Sequence, residues 1–189
     1  MRFRLLLSLV LLLMAPLAQA QDLLDQLMAR LATNAGGTVR FVELRHLAML
    51  DAPLRSTGEM IYNPPDWLER RTLRPRAERV LLYKDTITIE RERTRMSVQI
   101  AQRPEVQAFV ASIRSTLRGD RAGLERHYKL QLQGSLRRWT LVLEPIEPAM
   151  RAIVTRITLN GDDINVRHIE YAQADGDRTE LQLEPMVTR

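Results

Sequence analysis

Between residues 38 and 100 the chain passes through six short segments rich in β-branched, aromatic or alternating apolar residues. They are read as strands near 38–49, 56–62, 67–73, 79–84, 86–92 and 95–100, broken by proline, glycine or an aspartate turn. Strands joined by so little chain can only be antiparallel neighbours, because a parallel partner requires a crossover of a dozen or more residues. The alternation is clearest in Thr86-Ile87-Thr88-Ile89-Glu90, where the isoleucines share a face, and the Lys84-Asp85 step before it suits a hairpin turn.

Helical spacing flanks this block. In DLLDQLMARLATN, residues 22–34, the apolar residues Leu23, Leu24, Leu27, Met28 and Leu31 recur at i, i+3, i+4, with Asp22 placed as a cap and Gly36-Gly37 as a stop. Pro104 opens PEVQAFVASIRSTLRG, whose Val106, Phe109, Val110, Ile113 and Leu117 share one face and whose Gly119 ends it. A short helix from Asp120 to about Arg126 follows, and the strand pattern then resumes at 128–133, 137–144, 153–160, 163–172 and 178–184. Arg137, Trp139, Leu141 and Leu143 share a face of the second of these strands and Ile153, Ile157 and Leu159 a face of the third, and Asn160-Gly161-Asp162-Asp163 and Asp175-Gly176-Asp177 are turn signals. The order predicts an α+β fold: one strongly curved antiparallel sheet of about eleven strands, an unclosed half-barrel, covered by about three helices. So few helices over an apolar curved sheet leave room for a cavity.

The first twenty residues, MRFRLLLSLVLLLMAPLAQA, carry Arg2 and Arg4, then an apolar run, then Ala18-Gln19-Ala20, which is the order of a secretory signal cleaved after Ala20. The expected product is one exported domain, 21–189, that does not span a membrane and is a monomer. The chain contains no cysteine, so neither a disulfide framework nor a lipidated cysteine is available, and an exported domain must rely on its core; a bacterial periplasm fits. Without Arg2 and Arg4 there remain 26 basic and 23 acidic residues, a mild +3. Anionic lipid headgroups or an acidic protein face suit that balance better than nucleic acid, for which the nine aromatics form no stacking set.

Catalytic chemistry is sparse. His46, His127 and His168 are scattered without metal-ligand spacing, and there is no G-x-S-x-G elbow, P-loop or G-x-G-x-x-G run. Asp162-Asp163 sits in a turn, where solvation accounts for it. The reading is of a protein that is not an enzyme and uses neither metal nor cofactor.

The series Phe41-x-Glu43, Leu50-Asp51-x-Pro53-Leu54-x-Ser56-x-Gly58-x-Met60-x-Tyr62-x-x-Pro65-Asp66-x-Leu68 and then Pro75 resembles the periplasmic outer-membrane lipoprotein carriers, the LolA-like family, and is nearest to a divergent branch of it. The match is close over about residues 38 to 90 and agrees afterwards in element order. The resemblance implies a half-barrel with a helical lid over an apolar cavity that shields acyl chains in transit, with an inner-membrane donor and an outer-membrane acceptor as partners. Each buried CH₂ is worth roughly 0.8 kcal/mol, so an acylated client moves only between apolar sites and requires no covalent chemistry.

Met60 and Tyr62 match cavity-side positions of the family and Leu68 a position at the cavity mouth. Phe41, Ile87, Ile89, Trp139 and Leu141 complete the expected lining. Packing against a helix competes for the same surfaces. One departure stands out: where studied carriers place an arginine that latches the lid, this chain has Pro64, leaving Arg70 or Arg71 as substitutes, although a surface salt bridge is the favoured role for either. The client is therefore open between a lipoprotein and another acylated or polyene-like lipid. A sensor or adaptor that binds a protein partner with the same half-barrel is the alternative.

Overall fold

The computed structural model describes residues 15–102 and 104–186, so residues 1–14, most of the expected leader, lie outside the described residues. Helix α1 (Ala15–Leu31) precedes six strands, β1 (Gly37–His46), β2 (Leu54–Asn63), β3 (Trp67–Arg74), β4 (Glu78–Tyr83), β5 (Thr86–Arg91) and β6 (Thr94–Gln99). A 3-10 turn at Ile100–Gln102, α2 (Pro104–Arg118) and α3 (Arg121–Glu125) follow. The chain ends with β7 (Tyr128–Ser135), β8 (Arg138–Pro145), α4 (Pro148–Arg151), β9 (Val154–Asp162), β10 (Asn165–Gln173) and β11 (Arg178–Pro185).

All eleven strands form one antiparallel sheet, ordered β6-β5-β4-β3-β2-β1-β11-β10-β9-β8-β7. Although β6 and β7 are consecutive in the chain, they occupy opposite edges, and α2 carries the chain between them. Laid flat, ten gaps of about 4.8 Å would part the edges by about 48 Å. A 15-residue helix such as α2 covers only about 22 Å. Curling into a half-barrel brings the edges within reach of one helix, and the barrel stays unclosed because β6 and β7 do not pair.

Residues directly opposite in an antiparallel pair share a face, so the register identifies the helix-covered, concave side. Leu24, Leu27, Met28 and Leu31 of α1 pack there with Trp139, Leu141 and Leu143 of β8 and Ile157 and Leu159 of β9. A second cluster joins Leu82, Ile100 and Val110, with Leu68, Ile87 and Val106 against it. Helix α2 belongs to both clusters, because Phe109 packs on the first and Val110 sits in the second.

The structure departs from the sequence reading at three places. Among the described residues the first helix already runs at Ala15, so Asp22 is an interior residue, accepting a hydrogen bond from Gln26 Nε2 at 3.0 Å. Residues 15–20 are mostly alanine, leucine and glutamine, which favour helix. The β1 strand stops at His46 and β2 begins at Leu54, so Leu47 to Pro53 form a loop. Finally, α4 is a single turn with Pro148 at its start, too short to show a period. Asp120 is the N-cap of α3, accepting from the Gly123 N–H at 2.9 Å.

Candidate binding groove

On the β1–β6 half, the concave face is graded along the strands. Nearest the β2–β3 and β4–β5 turns, the register aligns Tyr62 with Leu68, Leu68 with Leu82, Leu82 with Ile87 and Ile87 with Val98. Helix α2 covers this apolar tier through Val106 and Val110. Two residues further along, the aligned side chains are Met60, Arg70, Val80, Ile89 and Met96. Beyond them Thr72 lies opposite Glu78, and Glu78 is ion-paired with Arg91. Strand β1 shows the same progression, Phe41 opposite Gly58, Glu43 opposite Ser56 and Arg45 opposite Leu54.

The β1–β3 wall packs tightly at Gly58. A Cβ there would lie 1.9 Å from the Arg71 carbonyl oxygen and 2.8 Å from Phe41 Cε1, so only glycine lets the Phe41 ring and β3 approach together.

In the middle of the groove Glu43, buried on the concave face, accepts hydrogen bonds from Arg70 Nη2 and from Ser56 Oγ, each at 2.9 Å. The Arg70 guanidinium lies 4.7 Å from the centroid of the Phe41 ring, and its Nε is buried without a hydrogen-bond partner. Tyr171, opposite Thr179 on β11, has its hydroxyl pushed well above the usual phenol range by burial, with Glu43 adding to the effect and Arg70 opposing it. The phenol therefore stays protonated. Two cavities meet at this point, of about 240 Å³ and about 580 Å³, and both are walled by Glu43, Arg45 and Arg70. Phe109 and Tyr171 help to line the smaller, while Leu54, Pro75 and Arg76 help to line the larger.

The eight residues expected to line a cavity, Phe41, Met60, Tyr62, Leu68, Ile87, Ile89, Trp139 and Leu141, all fall on this one face by register. They divide into groups. Trp139 and Leu141 are fully buried in the cluster that includes α1, Leu68 and Ile87 pack on the cluster that includes α2, and none of the eight borders the two cavities. Arg70, one of the two expected latch substitutes, does border both, held there by Glu43, which lies 27 residues away in the chain. On the opposite face Arg71 and Arg79 donate to Glu69 Oε1 at 2.5 and 2.6 Å. The Arg79 hydrogen bond contributes most to holding the buried Glu69 carboxyl down at about 2, with Arg71 adding and desolvation opposing.

Pro64 begins the β2–β3 turn, and an arginine does clasp that turn, from the helix side. Arg118, the last residue of α2, donates to the Pro65 carbonyl through Nη2 at 2.7 Å and Nε at 3.2 Å and pairs with the Asp66 carboxylate. The contact is not legible in the sequence because its two halves lie 53 residues apart. Arg114, one turn earlier, reaches Asp85 of the β4–β5 turn at 3.6 Å. Among the described residues no group of three or more His, Asp or Glu side chains is placed to hold a metal ion.

An unclosed antiparallel half-barrel with a helix across its mouth and a graded concave wall is the architecture of a binding protein. The match to known families is direct: a sequence model of the outer membrane lipoprotein carrier protein LolA-like family fits residues 15–185. The chain belongs to that family. Similar solved structures include a LolA superfamily protein from Nitrosomonas europaea, 10% identical over 90% of this chain and 94% of that one, with a TM-score of 0.44. A chain of the Pseudomonas aeruginosa MucA/MucB complex is 15% identical over 90% of this chain and 58% of its own, with a TM-score of 0.47. The Mycobacterium tuberculosis lipoprotein LppX is 10% identical over 84% of this chain and 93% of that one, at a TM-score of 0.42. No curated protein sequence matches the chain.

Proposed function

We propose that this protein is a periplasmic carrier that holds the acyl chains of a lipoprotein or another lipid in its half-barrel during transfer toward the outer membrane. The observation that carries the reading is the continuous apolar tier on β2–β6 beneath α2, in a chain of the lipoprotein-carrier family. Such a surface lowers the free energy of an acyl chain by roughly 0.8 kcal/mol for each CH₂ it removes from water, and handover then requires only an acceptor that binds better. No bond is made or broken. In this reading the leader is removed after Ala20, the working domain is 21–189 and functions as a monomer, and donor and acceptor proteins stand at the inner and outer membranes. No helix among the described residues is long and apolar enough to cross a membrane.

The test is to purify the protein from the periplasm of cells expressing the full-length gene, extract it with organic solvent and analyse the extract by mass spectrometry. Recovery of an acylated molecule at close to one per protein is expected. A lipid-free protein that also fails to bind a fluorescent fatty acid, yet co-purifies with one protein in fixed ratio, would replace the carrier with a partner-binding sensor or adaptor.

A further inference from the structure

The walls of the larger cavity carry four guanidinium groups, Arg45, Arg70, Arg76 and Arg91, against the carboxylates Glu43 and Glu78, an excess of +2, while Arg55, opposite Leu44, borders the cavity from a strand position whose side chain belongs to the other face. Both carboxylates are already engaged, Glu43 by Arg70 and Glu78 by Arg91. Arg45 and Arg76 make no ion pair among the described residues, and Arg70 Nε is buried without an acceptor. Like charges gathered in a concave wall repel one another, and a buried donor without a partner is costly. An anion lodged among them relieves both. Arg70 itself stands in a row whose other members, Met60, Val80, Ile89 and Met96, are apolar.

We propose that the charged end of the groove binds the anionic head, a phosphate or a carboxylate, of a single amphiphile whose chain crosses the row of Met60, Val80 and Ile89 toward the Tyr62, Leu68 and Ile87 tier under α2. The inference rests on the carrier reading and narrows it, since a neutral lipid would leave these guanidiniums uncompensated. Arg45 and Arg76 are exposed and unpaired, so they suit alteration without harm to the fold. Arg70 does not, because its loss would strand Glu43.

The experiment compares a pyrene-labelled long-chain fatty acid, its neutral methyl ester and inorganic phosphate as ligands of the purified full-length gene product. The acid should bind about tenfold more tightly than the ester, the worth of roughly one charge-assisted contact in a half-open site. In an Arg45→Gln, Arg76→Gln double variant that melts like the parent, the acid should fall to the ester's affinity while the ester is unchanged. Acid and ester binding equally well would overturn the anion site and leave the carrier standing. Failure of both to bind would remove the carrier reading and this inference with it. Phosphate alone binding as tightly as the labelled acid would overturn the assignment to a lipid head and make the pocket a site for a free anion.

Discussion

Replacing Arg118 with alanine should loosen α2 from the sheet without disturbing the core beneath α1. Arg118 makes two hydrogen bonds to the Pro65 carbonyl and an ion pair with Asp66, but its side chain is 42% exposed and that of Asp66 32% exposed. A charged hydrogen bond in a dry site is worth about 1.5–3 kcal/mol. At this exposure the pair is screened by water, which reduces its worth to about 0.5–1 kcal/mol. Arg118 also stands at the C-terminal end of α2, where a cation gains a further ~0.5 kcal/mol from the helix dipole. The total, about 1–1.5 kcal/mol, corresponds to a five- to tenfold shift of α2 toward the detached state. Amide hydrogen exchange measures this directly. Residues 110–118 should exchange faster by that factor while β8 and β9 keep their protection, and Arg118→Lys, which retains the charge but not the two-pronged contact, should recover only part of it. Unchanged exchange in α2, or an equal acceleration across the whole sheet, would refute a local clasp.

Three further outcomes test the architecture. Leu27→Ala, at a fully buried position of α1, should cost about 2–5 kcal/mol and lower the denaturant midpoint, since the cluster around Trp139 and Leu141 cannot close over the gap. Gly58→Ala should cost about 1–3 kcal/mol, because the added carbon collides with the Arg71 carbonyl oxygen on β3, and thermal melting would report it. For Glu69 the folded carboxyl is held at about 2 against an ordinary 4.5, so its contribution is complete above pH 4.5 and is lost as the pH falls toward 2. With partners 48% and 34% exposed that contribution is about 1–2 kcal/mol, and Glu69→Gln should flatten the stability profile in this window, as urea titrations from pH 2 to 6 would show.

Strand count and strand polarity were readable from the sequence because both depend on local chemistry. Alternation within a strand and a two-residue turn such as Lys84-Asp85 need no knowledge of distant residues, and the turn indeed joins Tyr83 to its partner Thr86. That Met60 and Tyr62, or Ile87 and Ile89, share a face follows from the same parity. Which side of one strand continues which side of the next depends on register, and register is a property of pairs. For this reason Arg70 reads in the sequence as a surface arginine, although its alignment with Met60 and Val80 places it on the concave wall. Glu43 belongs to the quoted motif, but only its burial with Arg70 and Ser56 shows that it anchors the polar part of the groove. The start of α1 was misread for a different reason: Asp22 can cap a helix, but it is equally tolerated inside one when the preceding residues also favour helix.

The position of the clasp changes how ligand and lid communicate. An arginine on the strand, next to the cavity mouth, is within reach of an incoming ligand, and occupancy can compete with its contact to the helix. Here the arginine is carried by α2 and its partners lie in the β2–β3 turn, while the charged end of the groove lies at the start of β2, near Leu54. The ten residues of β2 separate the two by about 30 Å. A head group held by Arg45 and Arg76 therefore has no direct means of breaking the Arg118 contact. Its chain does, because an acyl chain that reaches the tier of Tyr62, Leu68 and Ile87 displaces the Val106 and Val110 packing that holds α2 down. Release of the clasp thus depends on how far the chain extends toward the β2–β3 turn, and a chain too short to reach Leu68 would occupy the charged end while α2 stays in place.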